Sequence, residues 1–297
     1  MPDGAIDFGG QTVSAARRTL QSVLAAAGVD DANREARLLI EYATGLTPER
    51  LLLDPNRGLS ASEALRLRGA LHRRLAHEPL SRIRGERDFY GRTFDVTPAV
   101  LDPRPDTETL IDLVLEWVDQ TGGRQRPLSL LDIGTGSGCV LITLLAELPH
   151  ATGLGSDISQ EALDVARGNA ARHGVAARAG FQKTRSLDSM SGPFDILVSN
   201  PPYIPTAHIV SLEPAVRGFE PMIALDGGPD GLAIYREIAT RAGTVVPSGL
   251  IAMEVGAGQA TDVARILSDL VENRHGAPWT RADLGGHARA VALLTHR

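Results

Sequence analysis

The chain has 297 residues, 43% of them hydrophobic and 22% charged, with a net charge of −6 at pH 7; this gives room for one large α/β unit beside a smaller domain and excludes a disordered or fibrous protein. The acidic balance leaves no general footprint for gripping a phosphate backbone, so no stable nucleic-acid binding is expected. A single cysteine, Cys139, excludes an internal disulfide and cannot make a metal site alone; with no basic-then-apolar leader and no bilayer-length apolar run, a cytoplasmic protein without bound metal or membrane contact is expected.

From about Gln11 to Glu78 the pattern is helical throughout, with apolar positions spaced by three and four in Val13–Ala27, Ala32–Ala43 and Ala61–Ala76, so residues 1–85 are expected to form a helical bundle. Gly28 closes the first helix, Thr47 and Pro48 start a short one, and Ser60 with Glu63 has capping-box spacing. Arginines at 68, 73, 74, 82, 84 and 87 make the end of this segment basic, which suits either a partner-binding face or a solvated one. A hairpin follows, Asp88–Tyr90 and Thr93–Val96 around Gly91 and Arg92, then a proline-punctuated passage from Pro98 to Pro105. Residues 86–105 are therefore expected to link the bundle to a third region, 106–297. That region opens with a helix at Thr107–Gln120 and then alternates strands and helices: Ser129–Ile133, Val140–Leu148, Gly153–Ser156, Gln160–His173, Ala177–Phe181, Phe194–Ser199, Gly231–Thr244, Gly249–Glu254 and Gln259–Leu270. Two closing strands are expected near Trp279–Asp283 and Ala288–Leu294. Such alternation predicts a mainly parallel, Rossmann-like sheet wrapped by helices.

Two strand ends carry chemistry. Ser129–Ile133 runs into Gly134, Thr135, Gly136, Ser137 and Gly138 and then an apolar helix, an arrangement in which glycines let the backbone approach a ligand closely. Asp157 ends the next strand, where a carboxylate can accept from both ribose hydroxyls of an adenosine-bearing cofactor. That pair fits a dinucleotide as well. The second strand end, Asn200, Pro201, Pro202 and Tyr203, narrows the choice. A conjugated amide or amino nitrogen has a delocalised lone pair, so a site that methylates it must hold its N–H groups with acceptors. The Asn200 oxygen and a proline-directed backbone carbonyl can do so, and Tyr203 offers a flat wall with a polar tip. A hydride-transfer enzyme has no evident need for those acceptors. The plainer explanation, a rigid loop after a strand, is weakened because all these residues fall at the carboxyl edge of the sheet, where open α/β folds bind ligands. S-adenosylmethionine is thus the expected cofactor.

Further segments accompany the tetrad: Glu86–Gly91, Pro103–Glu108, Val198–Ile204, Val216–Pro221, Ala224–Gly228, Glu254–Gly256 and Gly258–Gln259. Together they make the chain resemble, over nearly its whole length, the bacterial release factor glutamine methyltransferases of the HemK or PrmC family. The resemblance implies a seven-stranded class I methyltransferase sheet behind a small all-α bundle, and a monomer. It also implies methyl transfer from S-adenosylmethionine, leaving S-adenosylhomocysteine, to the glutamine amide of the Gly-Gly-Gln motif in class 1 peptide release factors. Gly134–Gly138 and Asp157 would then bind the cofactor beside Asn200, residues 200–203 would hold the amide, and the helical domain would help grip the factor. Thr184 and Arg185 depart from the pattern, standing where an acidic and an aromatic residue usually wall the adenine; Arg185 can stack its guanidinium plane on the base instead. Asp102 likewise replaces an aliphatic residue. The tetrad is shared with adenine-N6 methyltransferases, which extrude a base into an equivalent slot, so methylation of nucleic acid is the alternative. A non-catalytic adaptor on the release factor or ribosome is a third reading, disfavoured by the intact glycine loop, Asp157 and tetrad.

Overall fold

Side-chain oxygens start most of the helices of the amino-terminal unit. Thr12, Asp31, Thr47 and Ser60 each accept the backbone N–H three residues on, opening α1 (Val13–Ala26), α2 (Ala32–Thr44), α3 (Pro48–Leu53) and α4 (Ala61–Leu75). At α4 the expected capping box is complete, with Glu63 returning a bond to the Ser60 N–H at 2.8 Å. α5 (Leu80–Arg84) ends the unit at the left-handed Gly85. Phe8, Leu20, Leu24, Leu39, Ile40 and Leu67 meet in its core.

The computed structural model describes residues 6–184, 187–190 and 192–296, and the chain divides into two compact units between Gly85 and Glu86. The second unit begins with the hairpin, β1 (Glu86–Phe89) and β2 (Arg92–Asp95). Tyr90 and Gly91 both have positive φ, 49° and 69°, so they form the two-residue turn that the twist of the strands favours, and Phe89 pairs with Arg92. The strands consequently sit one to two residues earlier than the alternation alone predicts. Phe89 and Phe94 enter the same core as Leu110 and Ile111, so the hairpin is packed into this unit.

After α6 (Glu108–Gln120) come β3 (Ser129–Ile133), α7 (Cys139–Glu147), β4 (Thr152–Asp157), α8 (Gln160–Arg172), β5 (Ala179–Lys183) and β6 (Ile196–Ser199). The chain continues through α9 (Pro214–Phe219), α10 (Ala233–Val245), β7 (Gly249–Glu254), α11 (Ala260–Leu270), β8 (Arg274–Ala282) and β9 (Ala288–Thr295). The sheet has seven strands in the order β5-β4-β3-β6-β7-β9-β8. β3 to β7 pair in parallel, while β9 runs against both of its neighbours. This is the architecture expected from the sequence, with two adjustments. β8 starts at Arg274, five residues before the expected strand, because a register shift between His275 and Trp279 absorbs the strand-breaking Gly276 and Pro278. α9 was not expected; six residues starting at a proline are too few for periodicity to reveal.

Strand order reverses between β3 and β6, so the ends of these two central strands open side by side at a switch point. Among the described residues no helix is long and apolar enough to cross a membrane, and no cluster of three His, Cys, Asp or Glu could hold a metal ion.

Candidate active site

The glycine loop is held by backbone bonds and by side chains from neighbouring elements. Gly134 and Thr135 donate to the Ser156 carbonyl, both at 2.9 Å, which fastens the loop after β3 to the end of β4. Gly138, at φ 79°, turns the chain into α7; a Cβ there would lie 2.7 Å from Ile142 Cδ1 and 3.2 Å from Ala166 Cβ, so no other residue fits. Asp157 lies across the loop, Oδ2 accepting from the Gly136 N–H at 3.0 Å and Oδ1 from the Ser159 N–H at 2.9 Å. Each of its oxygens has a further lone pair, so the carboxylate retains capacity for ribose hydroxyls. Asn169, fully buried on α8, donates to the Ser137 carbonyl at 2.9 Å while exchanging bonds with the Asp95 backbone at 2.8 and 3.0 Å. The hairpin thereby anchors the glycine loop, a link that the sequence does not announce.

Asp132 is a further residue that sequence motifs do not single out. It is buried beneath the loop, accepts the Thr135 hydroxyl at 2.7 Å, and has its carboxyl pushed up to about 7. Burial is the main cause, Thr135 opposes it, and the nearby Asp157 charge adds to it.

A cavity of about 540 Å³ opens in front of the loop. Gly134, Thr135, Gly136, Ser137, Asp157 and Thr184 line it, as do Asn200 and Pro202 from the end of β6. The structure therefore brings parts of both predicted motifs to one space, while Gly138, Pro201 and Tyr203 are not among the residues that line it. Ile158, Ala162, Leu187 and Ile238 add apolar side chains to the lining, which suits a flat base. A glycine-lined approach, an aspartate with free lone pairs and an apolar wall are the features an adenosine-bearing cofactor needs, so the residues present fit it. Arg185 lies outside the described residues.

Members of the tetrad differ in placement. Asn200 faces the cavity and donates from Nδ2 to Thr107 Oγ1 at 3.1 Å. Pro201 is buried, and Tyr203 is half-buried, with its phenol pushed up to about 12 by burial and by the charge of Glu254. The Tyr203 carbonyl accepts from Gln259 Nε2 at 2.9 Å, while Gln259 Oε1 accepts from the Gly256 N–H at 3.1 Å. Gly231 lies against the same carbonyl; a Cβ there would come within 2.4 Å of it. The proline passage and the segment after α9 are also joined beside the cavity. Arg104 donates to Glu220 Oε1 at 2.8 Å and the Asp102 N–H to Glu220 Oε2 at 3.1 Å.

Comparison with known proteins agrees with this geometry. Residues 15–85 match the model of the PrmC N-terminal domain, and residues 111–211 that of the methyltransferase small domain. The release factor glutamine methyltransferase of Bradyrhizobium diazoefficiens is 42% identical over 288 residues, covering 96% of this chain and 95% of its own. That of Agrobacterium fabrum is 41% identical, covering 96% and 98%; that of Rhodospirillum rubrum is 46% identical, covering 82% and 74%. Among solved structures, the hMettl16 catalytic domain in complex with a MAT2A 3'UTR hairpin shares the fold, with a TM-score of 0.55 at 14% identity, covering 78% of this chain and 81% of that one. With relatives this similar along nearly its whole length, a glycine loop and an Asn200 slot sharing one cavity, and the matching amino-terminal domain, the chain belongs to the release factor glutamine methyltransferase family.

Proposed function

We propose that this chain methylates the side-chain amide nitrogen, N5, of the glutamine in the Gly-Gly-Gln motif of class 1 peptide release factors, acting in translation termination in the cytoplasm. The observation that carries this reading is that Asn200 and the glycine loop line one cavity at the switch point between β3 and β6. The chain is an S-adenosylmethionine-dependent methyltransferase, and Gly134–Gly138 with Asp157 would hold the cofactor, which supplies a methyl group on a sulfonium and leaves as S-adenosylhomocysteine. Asn200 Oδ1 and the Pro201 carbonyl accept the two amide hydrogens and orient the nitrogen lone pair towards the methyl. A sulfonium methyl held there would pass to the nitrogen as its bond to sulfur broke, the electron pair staying with sulfur. The resulting N-alkylated cationic amide is strongly acidic and loses its extra proton to water, so no Asp, Glu or His needs to act as a base. Catalysis is then chiefly positioning, which can supply about 7–11 kcal/mol of the barrier. The helical unit would supply contacts remote from the chemistry that select one glutamine.

The test is transfer of labelled methyl from S-adenosylmethionine to purified release factor, to a factor with its Gly-Gly-Gln glutamine changed to alanine, and to a nucleic-acid pool. Label on the intact factor alone is expected. Label on nucleic acid would replace this reading with adenine-N6 methylation, and label on nothing would favour the adaptor.

A further inference from the structure

Glu254 ends β7 with a carboxylate that the proposed methyl transfer does not use. It is only 2% exposed, and among the described residues its Oε2 has no hydrogen-bond partner. The donors facing it are the Thr107 hydroxyl and the Asn200 amide. Arg289, the cation nearby, is already paired with Asp106 at 3.0 Å and Asp283 at 2.9 Å. A buried carboxylate left so poorly paired is costly, which points to a purpose in the groups it faces.

Hydrogen-bond directions follow from the chemistry of the groups. A carboxylate accepts only, so with the Thr107 hydroxyl facing Glu254 its single proton is drawn to that side and a Thr107 lone pair remains to take Asn200 Nδ2 at 3.1 Å. Turning the Asn200 amide over would set Oδ1 against the Thr107 lone pairs and the Glu254 charge. The NH₂ end is therefore held on the protein side, and Oδ1 is left for the cavity.

We propose that Glu254, acting through Thr107, is a positioning residue for Asn200: it fixes the amide so that Oδ1 meets the substrate N–H, and its negative charge polarises the amide to make Oδ1 a stronger acceptor. The inference rests on the reading that Asn200 accepts from a substrate amide. The Glu254 charge is adjustable, because burial, reinforced by Asp106 and opposed by Thr107, Arg289 and Asn200, pushes the carboxyl up to about 7. Of the other groups that face it, Tyr203 and Cys139 are pushed up to about 12 and Tyr235 is pushed higher still, so these three do not titrate in that range.

Methyl transfer to purified release factor, measured from about pH 6 to 8.5, tests this with Glu254→Gln, Thr107→Val and Thr107→Ser. Wild-type kcat should rise through about pH 7 and level off. Glu254→Gln should lose about tenfold or more in kcat, keep its Kd for S-adenosylmethionine within about twofold, and flatten the pH profile. Thr107→Val should fall comparably and Thr107→Ser should recover most of the loss. The Asn200 Nδ2 proton resonances should shift with pH in the wild type and not in Glu254→Gln. Wild-type kcat and pH profile in Glu254→Gln would overturn the proposal. So would loss of cofactor affinity in step with kcat, which would make the role structural. If Glu254→Gln fails to fold, the Thr107 pair decides alone: equal rates for Val and Ser would overturn it. A wild-type enzyme that leaves release factor unlabelled defeats the underlying reading instead, an outcome visible before any variant is made.

Discussion

Glu63 in the helical unit and Glu254 in the catalytic unit are the same residue type and both little exposed, at 6% and 2%, although Glu254 lies far deeper in the protein. Their surroundings are opposite. Glu63 takes Arg57 in a two-pronged pair at 2.8 and 3.1 Å and the Ser60 N–H at 2.8 Å; the Arg57 bonds are the main reason its carboxyl is pulled down to about 2. Glu254 has one oxygen bare and is pushed up to about 7, chiefly by burial. A carboxylate that only holds a helix in place is surrounded with donors, each improving stability. One that orients another side chain is surrounded by the groups it must orient, and the fold bears the cost.

Breaking the catalytic side of this contrast gives the largest effect. Asn200→Ala should reduce kcat by about 10²–10³, as loss of a single preorganised contact at a reacting centre does, while cofactor affinity measured by calorimetry stays within about threefold. Equal losses in both would place Asn200 in cofactor binding rather than at the amide. Next, Glu254→Gln should stabilise the protein at pH 8 by about 1–3 kcal/mol in urea unfolding, although it slows the enzyme. A carboxyl raised from 4.5 to about 7 penalises folding as its charged form is demanded, so this advantage should be absent below about pH 4.5, grow as pH rises, and be complete above about 7. An advantage independent of pH would show that burial of the charge is not its source.

Glu63→Ala should do the reverse, costing about 1–2 kcal/mol at neutral pH through loss of the cap and its ion pair, with cofactor affinity unchanged. Because folding lowers this carboxyl from 4.5 to about 2, the wild-type advantage should be full above the ordinary carboxylate range and fade as pH falls towards 2. Hydrogen exchange of the α4 amides would follow it. The smallest effect on stability belongs to Leu52 and Leu53, 73% and 81% exposed on α3. Changing both to serine should move stability by less than about 0.5 kcal/mol, while a docking role for this unit would raise KM for release factor and leave kcat alone.

Local signals are legible in the chain, and distant partnerships are not. β3 and β7 begin and end as predicted because they are apolar runs bounded by turn residues. Ser60 and Glu63 declare their helix start because capping spacing is local. The glycine loop, Asp157 and Asn200 are legible because strand–turn–helix patterns put them on one sheet edge. By contrast, Asn200 and Thr107 are 93 positions apart, and Arg104 and Glu220 are 116 apart, with nothing in either segment naming the other. Glu254 does leave a trace: a charged residue closing an otherwise buried apolar strand has no packing reason to be there.

The bond from Gln259 to the Tyr203 carbonyl has a consequence for how many methyl groups are added. In the proposed reaction the incoming nitrogen meets two acceptors, Asn200 Oδ1 and the Pro201 carbonyl, which matches the two hydrogens of a primary amide, while Gln259 holds the Tyr203 carbonyl. After one transfer the amide carries a single hydrogen, so one acceptor goes unmet at a cost of about 1–3 kcal/mol in a dry site. Under the proposed function, substrate and product would thus be told apart by counting hydrogens, and transfer would stop at the monomethylated glutamine without any group devoted to rejecting it.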